Sequence, residues 1–104
     1  MIRPLLAAAL ASGAVFTLSA VAQSPDPNLG RNLAAACANC HGTNGTSQQG
    51  MPSLAGQQRT SLVQQMQDFR AGKRAATIMH QIAKGYSDEQ IDALAVYFSA
   101  QKGR

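Results

Sequence analysis

Five consecutive residues, Cys37-Ala38-Asn39-Cys40-His41, constrain this chain more than any other feature, because C-x-x-C-H is the spacing at which a polypeptide carries a covalently attached haem. Two thiols three positions apart share one side of a helical turn, within reach of the two vinyl groups of one porphyrin. The adjoining imidazole then falls beneath the iron as an axial ligand. Other uses of C-x-x-C fit less well. A zinc site has no further cysteine to draw on, and the next histidine, His80, is too distant for a compact module. A thiol-exchange pair is expected after a strand and at a helix start, whereas Cys37 sits at the end of an apolar helical pattern, Leu33 to Ala38.

The N-terminus points to export. Met1-Ile2-Arg3 is followed by an uncharged run from Leu5 to Val21, and Ala20-Val21-Ala22 forms a small-x-small site. These are the parts of a secretory leader, and the serine and glycine inside the run favour cleavage over permanent insertion. The expected division is a cleaved signal peptide over residues 1–22 and one periplasmic domain over 23–104. An uncleaved membrane anchor is the alternative that the apolar length allows. The formal net charge of +4 includes Arg3 and falls by one on cleavage. A domain this small has a poor surface-to-volume ratio, and its large aromatics are only Phe69, Tyr86, Tyr97 and Phe98, with no Trp. Small domains need a staple, and a covalent haem provides an apolar body around which the chain packs.

Along the chain every periodic segment reads as helix. Leu29 to about Ala38 is Ala-rich, with Asp26 or Asn28 as its cap. Gly30 inside that helix costs about 1 kcal/mol relative to Ala, which suggests a close approach by another helix. Gly42 to Gly50 is a loop, and Met51-Pro52-Ser53-Leu54-Ala55 returns apolar groups to the core. The Pro52 carbonyl is a candidate acceptor for the second imidazole nitrogen of His41. A second helix is expected to be capped by Thr60 or Ser61 and to run to Ala71, with Leu62, Met66 and Phe69 on one face and Gly72 as terminator. A third is expected over Ala75 to Lys84. The last opens on Ser87, with Gln90 completing a capping box, and buries Ile91, Leu94, Ala95 and Phe98. The tail Gln101-Lys102-Gly103-Arg104 is expected to fray.

The iron's sixth position decides the chemistry. Histidine with methionine suits electron transfer, whereas an open position suits gas binding, redox sensing or peroxide chemistry. The available side chains are Met51, Met66, Met79 and His80. Met66 lies in a core stripe, and Met51 precedes the proline expected on the His41 side. Met79 shares a face with Ile82 and Ala83, while His80 is rotated by about 100° from it on a helix. Met79 is therefore preferred, with His80 as the alternative.

Taken together, these residues resemble the class I cytochromes c over nearly the whole domain. The matching features are a glycine-bearing first helix, the C-A-N-C-H segment, P-S-L at Pro52 to Leu54, a Met-bearing segment and a final L-A-V-Y-F helix. M-P-S-L-A-G-Q, D-F-R-A-G-K-R and I-A-K-G-Y-S-D-E-Q-I are more narrowly similar to a bacterial branch. That branch holds diheme cytochromes and the cytochrome subunit of flavocytochrome c sulfide dehydrogenase. The resemblance implies an all-α cytochrome c fold with haem c bound through Cys37 and Cys40. It further implies His41 and Met79 as iron ligands, Met79 lying six residues before Gly85, and Pro52 in contact with His41. It also implies that Gly30 meets the aromatic residues of the last helix. One C-x-x-C-H, where diheme members have two, makes this a single-haem module.

The expected function is one-electron transfer between redox proteins, with a flavoprotein subunit as one such partner and no nucleic acid. Arg70, Lys73, Arg74 and Lys84 form a basic cluster suited to steering an acidic partner towards the haem edge. No catalytic residue is expected.

Overall fold

The computed structural model describes residues 9–18, 26–48 and 50–103. Four α-helices follow one another: α1 Leu29–His41, α2 Arg59–Arg70, α3 Met79–Ala83 and α4 Asp88–Ser99, with a short 3₁₀ turn at Thr43–Gly45 after α1. There is no strand among the described residues. Residues 9–18 are exposed and without regular structure, and the expected cleavage site at Ala20 to Ala22 lies outside the described residues.

The first and last helices cross, and Gly30 is the point of closest approach. A Cβ at Gly30 would lie 2.5 Å from the Ala93 carbonyl oxygen and 3.0 Å from Tyr97 Cβ. Neither atom is the end of a flexible side chain, so the helices would have to part. Gly30→Ala gains helix propensity yet is expected to destabilise the folded protein by about 1–3 kcal/mol, the usual cost of overpacking. Chemical denaturation of the haem-loaded protein checks this, and an unchanged midpoint would remove the close crossing as a constraint.

Around this crossing lies a thin core of Ala34, Leu62, Leu94, Ala95 and Phe98, flanked by partly buried Leu33, Cys37, Leu54, Val63, Tyr86 and Tyr97. Ile91 is the one large side chain completely removed from solvent among the described residues. Helices α2 and α4 are tied at both ends. Arg59 holds Asp92 in a two-point ion pair at 2.8 and 2.6 Å, and Arg70 holds Asp88 at 2.5 Å while also donating to the Tyr86 carbonyl. Such exposed pairs each contribute about 0–1 kcal/mol and chiefly fix orientation.

Several local expectations are met. Ser87 Oγ accepts from the Gln90 backbone N–H, and Gln90 Oε1 accepts from the Ser87 N–H, so the capping box is complete. Gly72 ends α2 at φ 74°.

Others are corrected. Helix α1 runs through the whole motif to His41 rather than stopping near Ala38, and Gly42 at φ 83° ends it. Asn28, one of the two expected caps, occupies the cap position of α1 but makes no side-chain capping bond, and the Asp26 carboxylate accepts from the Asn28 N–H in a turn one step earlier. Gln58 occupies the cap position of α2 without a side-chain bond, so Thr60 and Ser61 lie inside the helix. The third helix is much shorter than Ala75 to Lys84. Thr77 and Ile78 are β-branched, a class that resists helix, and Ile78 at φ −137° marks where α3 begins. In the tail, Gln101 Nε2 donates to the Tyr97 carbonyl and Gly103 lies beside Ala55 and Gly56.

Candidate haem site

Because α1 is helical through the motif, Cys37 and Cys40 lie three residues apart on one face, with no disulfide between them. They and His41 open onto a cavity of about 600 Å³. Burial of Cys37 pushes its thiol above the ordinary range, with a small further push from Cys40. Exchange-active dithiols have the opposite shift.

The imidazole of His41 is oriented by a neighbouring loop. Its Nδ1 lies 2.6 Å from the Pro52 carbonyl oxygen. A carbonyl can only accept, so Nδ1 carries the proton and Nε2 keeps the lone pair that a metal requires. The loop that offers this carbonyl is itself held: Ser53 Oγ accepts from the Ser47 N–H at 2.9 Å, Gln57 Nε2 donates to the Ser53 carbonyl at 2.6 Å, and the Leu54 N–H donates to the Gly45 carbonyl at 2.8 Å.

The rest of the cavity is mostly apolar, with Gln65, Arg74 and Thr77 as its polar members. Leu62, Met66 and Phe69 of α2 and Ile91, Leu94, Ala95 and Phe98 of α4 form one part of its wall. The irregular stretch Arg74–Ile78 and Met79 and Ile82 of α3 form another. Cys37, Cys40, His41, Pro52 and Met79 thus all reach one space, as do Met51 and Met66. His80 is not among the lining residues; its Nδ1 is buried with no hydrogen-bond partner among the described residues. An apolar cavity with two thiols, one proton-oriented imidazole and thioether sulfurs fits the donor set and shape of an iron porphyrin.

Sequence reasoning missed two parts of this arrangement. It did not foresee the Ser47–Ser53–Gln57 scaffold, whose members are ordinary loop residues by composition. It also read the stretch Ala75–Ile78 as helix, although the Thr77-Ile78 pair was a signal for irregular cavity wall. Of the expected basic cluster, Arg70 is taken up by Asp88.

Comparison with known proteins decides the family. Residues 28–102 match the family model described as cytochrome c. The chain belongs to the cytochrome c family. The cofactor of this cytochrome is haem c, covalently held through its single cysteine pair, Cys37 and Cys40, and its family consists of electron carriers. This cytochrome is 38% identical over 94 residues to the cytochrome subunit of sulfide dehydrogenase from Chlorobaculum tepidum, covering 86% of each chain. It is 41% identical over 99 residues to a thiosulfate dehydrogenase electron acceptor from Stutzerimonas stutzeri, spanning 88% of this chain and 46% of that one. With cytochrome c4 of Pseudomonas aeruginosa it shares 38% identity over 78 residues, 74% of this chain and 39% of the relative. It therefore spans less than half the length of the last two. Among solved structures, cytochrome c4 of Acidithiobacillus ferrooxidans superposes with a TM-score of 0.60 at 40% identity, over 62% of this chain and 38% of that one.

Proposed function

We propose that this cytochrome is an exported carrier of single electrons, whose haem iron is held between His41 Nε2 and the Met79 thioether. The observation that carries this reading is the His41 Nδ1–Pro52 hydrogen bond, with Met79 lining the same apolar cavity. His41 and Met79 would hold the iron from the protein, and a methionine ligand would supply a potential in a range useful for electron transfer. Pro52 serves by fixing the imidazole and raising its basicity. Residues 1–22 are the signal peptide and 23–104 the mature periplasmic domain. No helix among the described residues is long and apolar enough to cross a membrane.

The electron donor in this reading is a dehydrogenase of reduced sulfur compounds, with the flavoprotein partner of a sulfide dehydrogenase foremost. Support comes from the Chlorobaculum tepidum relative, matched over 86% of both chains. Lys73 and Lys84 are exposed and outside the ion pairs, and they supply the charge that steers an acidic partner. The test is one preparation of the exported protein. Its intact mass is expected to equal a chain from Gln23 plus one haem, and its ferric spectrum to be low-spin with a sulfur-to-iron charge-transfer band. A ferrous form that is high-spin and binds carbon monoxide readily would overturn the carrier reading in favour of an open-site haem protein.

A further inference from the structure

Tyr97 sits at the crossing of α1 and α4, its Cβ facing Gly30, and its hydroxyl reaches beyond that crossing. It donates to the Asn44 side-chain oxygen at 2.6 Å, across 53 residues of sequence. Neither residue lines the haem cavity; both line a separate cleft of about 440 Å³ that shares no residue with it. Asn44 is the one non-glycine residue at positive φ among the described residues, at 54° inside the 3₁₀ turn that follows the attachment motif. The left-handed conformation is costly for a residue with a side chain and persists where the surroundings hold it. The Tyr97 hydroxyl supplies such a hold.

The next residue passes the constraint on. The Gly45 carbonyl accepts from the Leu54 N–H at 2.8 Å and from the Ala55 N–H at 3.2 Å. Gly45 is also wedged in place, since a Cβ there would lie 2.7 Å from the Phe98 ring and 2.9 Å from the Ala55 nitrogen. Two residues before Leu54 is Pro52, whose carbonyl oxygen stands 2.6 Å from His41 Nδ1. This run of contacts has α4 at one end and the imidazole at the other.

We propose that Tyr97 is a positioning residue: by holding Asn44 and its turn, it fixes the Pro52 carbonyl against His41 and so helps to set the iron's potential. The inference rests on the proposed ligation of the iron by His41. A carbonyl that accepts from Nδ1 makes the imidazole more electron-rich, which favours ferric iron. A looser carbonyl has the reverse effect, so loss of the Tyr97 hydroxyl raises the potential.

The test compares the haem-loaded wild type with Tyr97→Phe, Asn44→Gly and Ser87→Ala. Tyr97→Phe keeps the ring, which packs edge-on against Phe98 at 5.3 Å between centroids, and removes the hydroxyl alone. Asn44→Gly keeps the left-handed backbone at no steric cost but removes the acceptor. Each is expected to raise the iron's affinity for an electron about threefold, equivalent to about 28 mV at 59 mV per tenfold. Each is also expected to speed exchange of the His41 Nδ1 proton with solvent about tenfold, read by NMR in the reduced protein. The double variant is expected to add nothing further, because both substitutions delete one bond. Ser87→Ala breaks the capping box of the same helix without touching Asn44, and both readings are expected to stay at wild type. A wild-type potential and exchange rate in Tyr97→Phe, or equal changes in Ser87→Ala, would reduce Tyr97 to a strut of the fold. Reduced wild-type protein whose His41 ring protons show no porphyrin ring-current shift would instead overturn His41 ligation, and the proposal with it.

Discussion

Replacing Met79 by Ala is expected to turn a low-spin ferric cytochrome into a high-spin one that binds carbon monoxide when reduced. The thioether is the group that closes one face of the iron, and truncation leaves nothing on α3 to replace it, because His80 does not line the cavity. Neighbouring Ile78 and Ile82 are 54% and 37% exposed, so water has a short route to the vacated position. The potential should fall by a few hundred millivolts, within the span of roughly 0.8 V that axial ligands command. Optical spectra and redox titration read both effects. Met51→Ala and Met66→Ala serve as controls and are expected to keep the low-spin spectrum. Met51 sits beside the proline that orients His41, and Met66 is packed on α2. If either control produced the high-spin form while Met79→Ala did not, the assignment of the sixth ligand would be wrong.

A second large effect is expected from the double substitution Cys37→Ser and Cys40→Ser, which removes covalent attachment. The described core contains one large side chain that is completely buried, Ile91, and the cavity of about 600 Å³ exceeds anything the surrounding residues can close over. At about 24 cal/mol per Å³, an unfilled space of that size corresponds to a ceiling on the order of 14 kcal/mol. That is as large as the whole stability of a typical domain, about 5–15 kcal/mol. The double variant should therefore lose most of its helical circular dichroism and its cooperative thermal transition. A haem-free variant that melted sharply from a helical state would show that the polypeptide holds its fold without the cofactor.

The two predictions differ in how far the sequence alone could carry them. Attachment was legible because Cys37, Cys40 and His41 are neighbours whose geometry one helical turn dictates. The capping box of α4 was legible as a local rule with a local signature, and Gly30, costly inside a helix, marked a close crossing that α4 supplies. Much of what failed depends on partners distant in the chain. Arg70 reads as one cation of a cluster until Asp88 of α4 folds against it. Thr60 and Ser61 look like caps, yet α2 begins at Arg59, whose side chain reaches Asp92 of α4. The expected long third helix ignored the β-branched pair Thr77-Ile78 and the cavity it lines. The loop bonds that steady the Pro52 carbonyl involve Ser47, Ser53 and Gln57, residues that carry no signal of purpose until the loop is closed.

The crossing at Gly30 has a bearing on how the molecule comes apart. In most small domains the ends of the chain are the loose ends, and opening starts there. Here α1 and α4, at the two extremes of the folded part, are each other's clasp, and the Gly103 tail is tucked against Gly56. The turn from Ala71 to Ala75 in the middle of the sequence is exposed, but the short α3 beyond it packs on α2 and ends in Ala83, which is completely buried. Met79 thus sits at the start of a helix whose other end is pinned in the core, while the two ends of the folded chain hold each other.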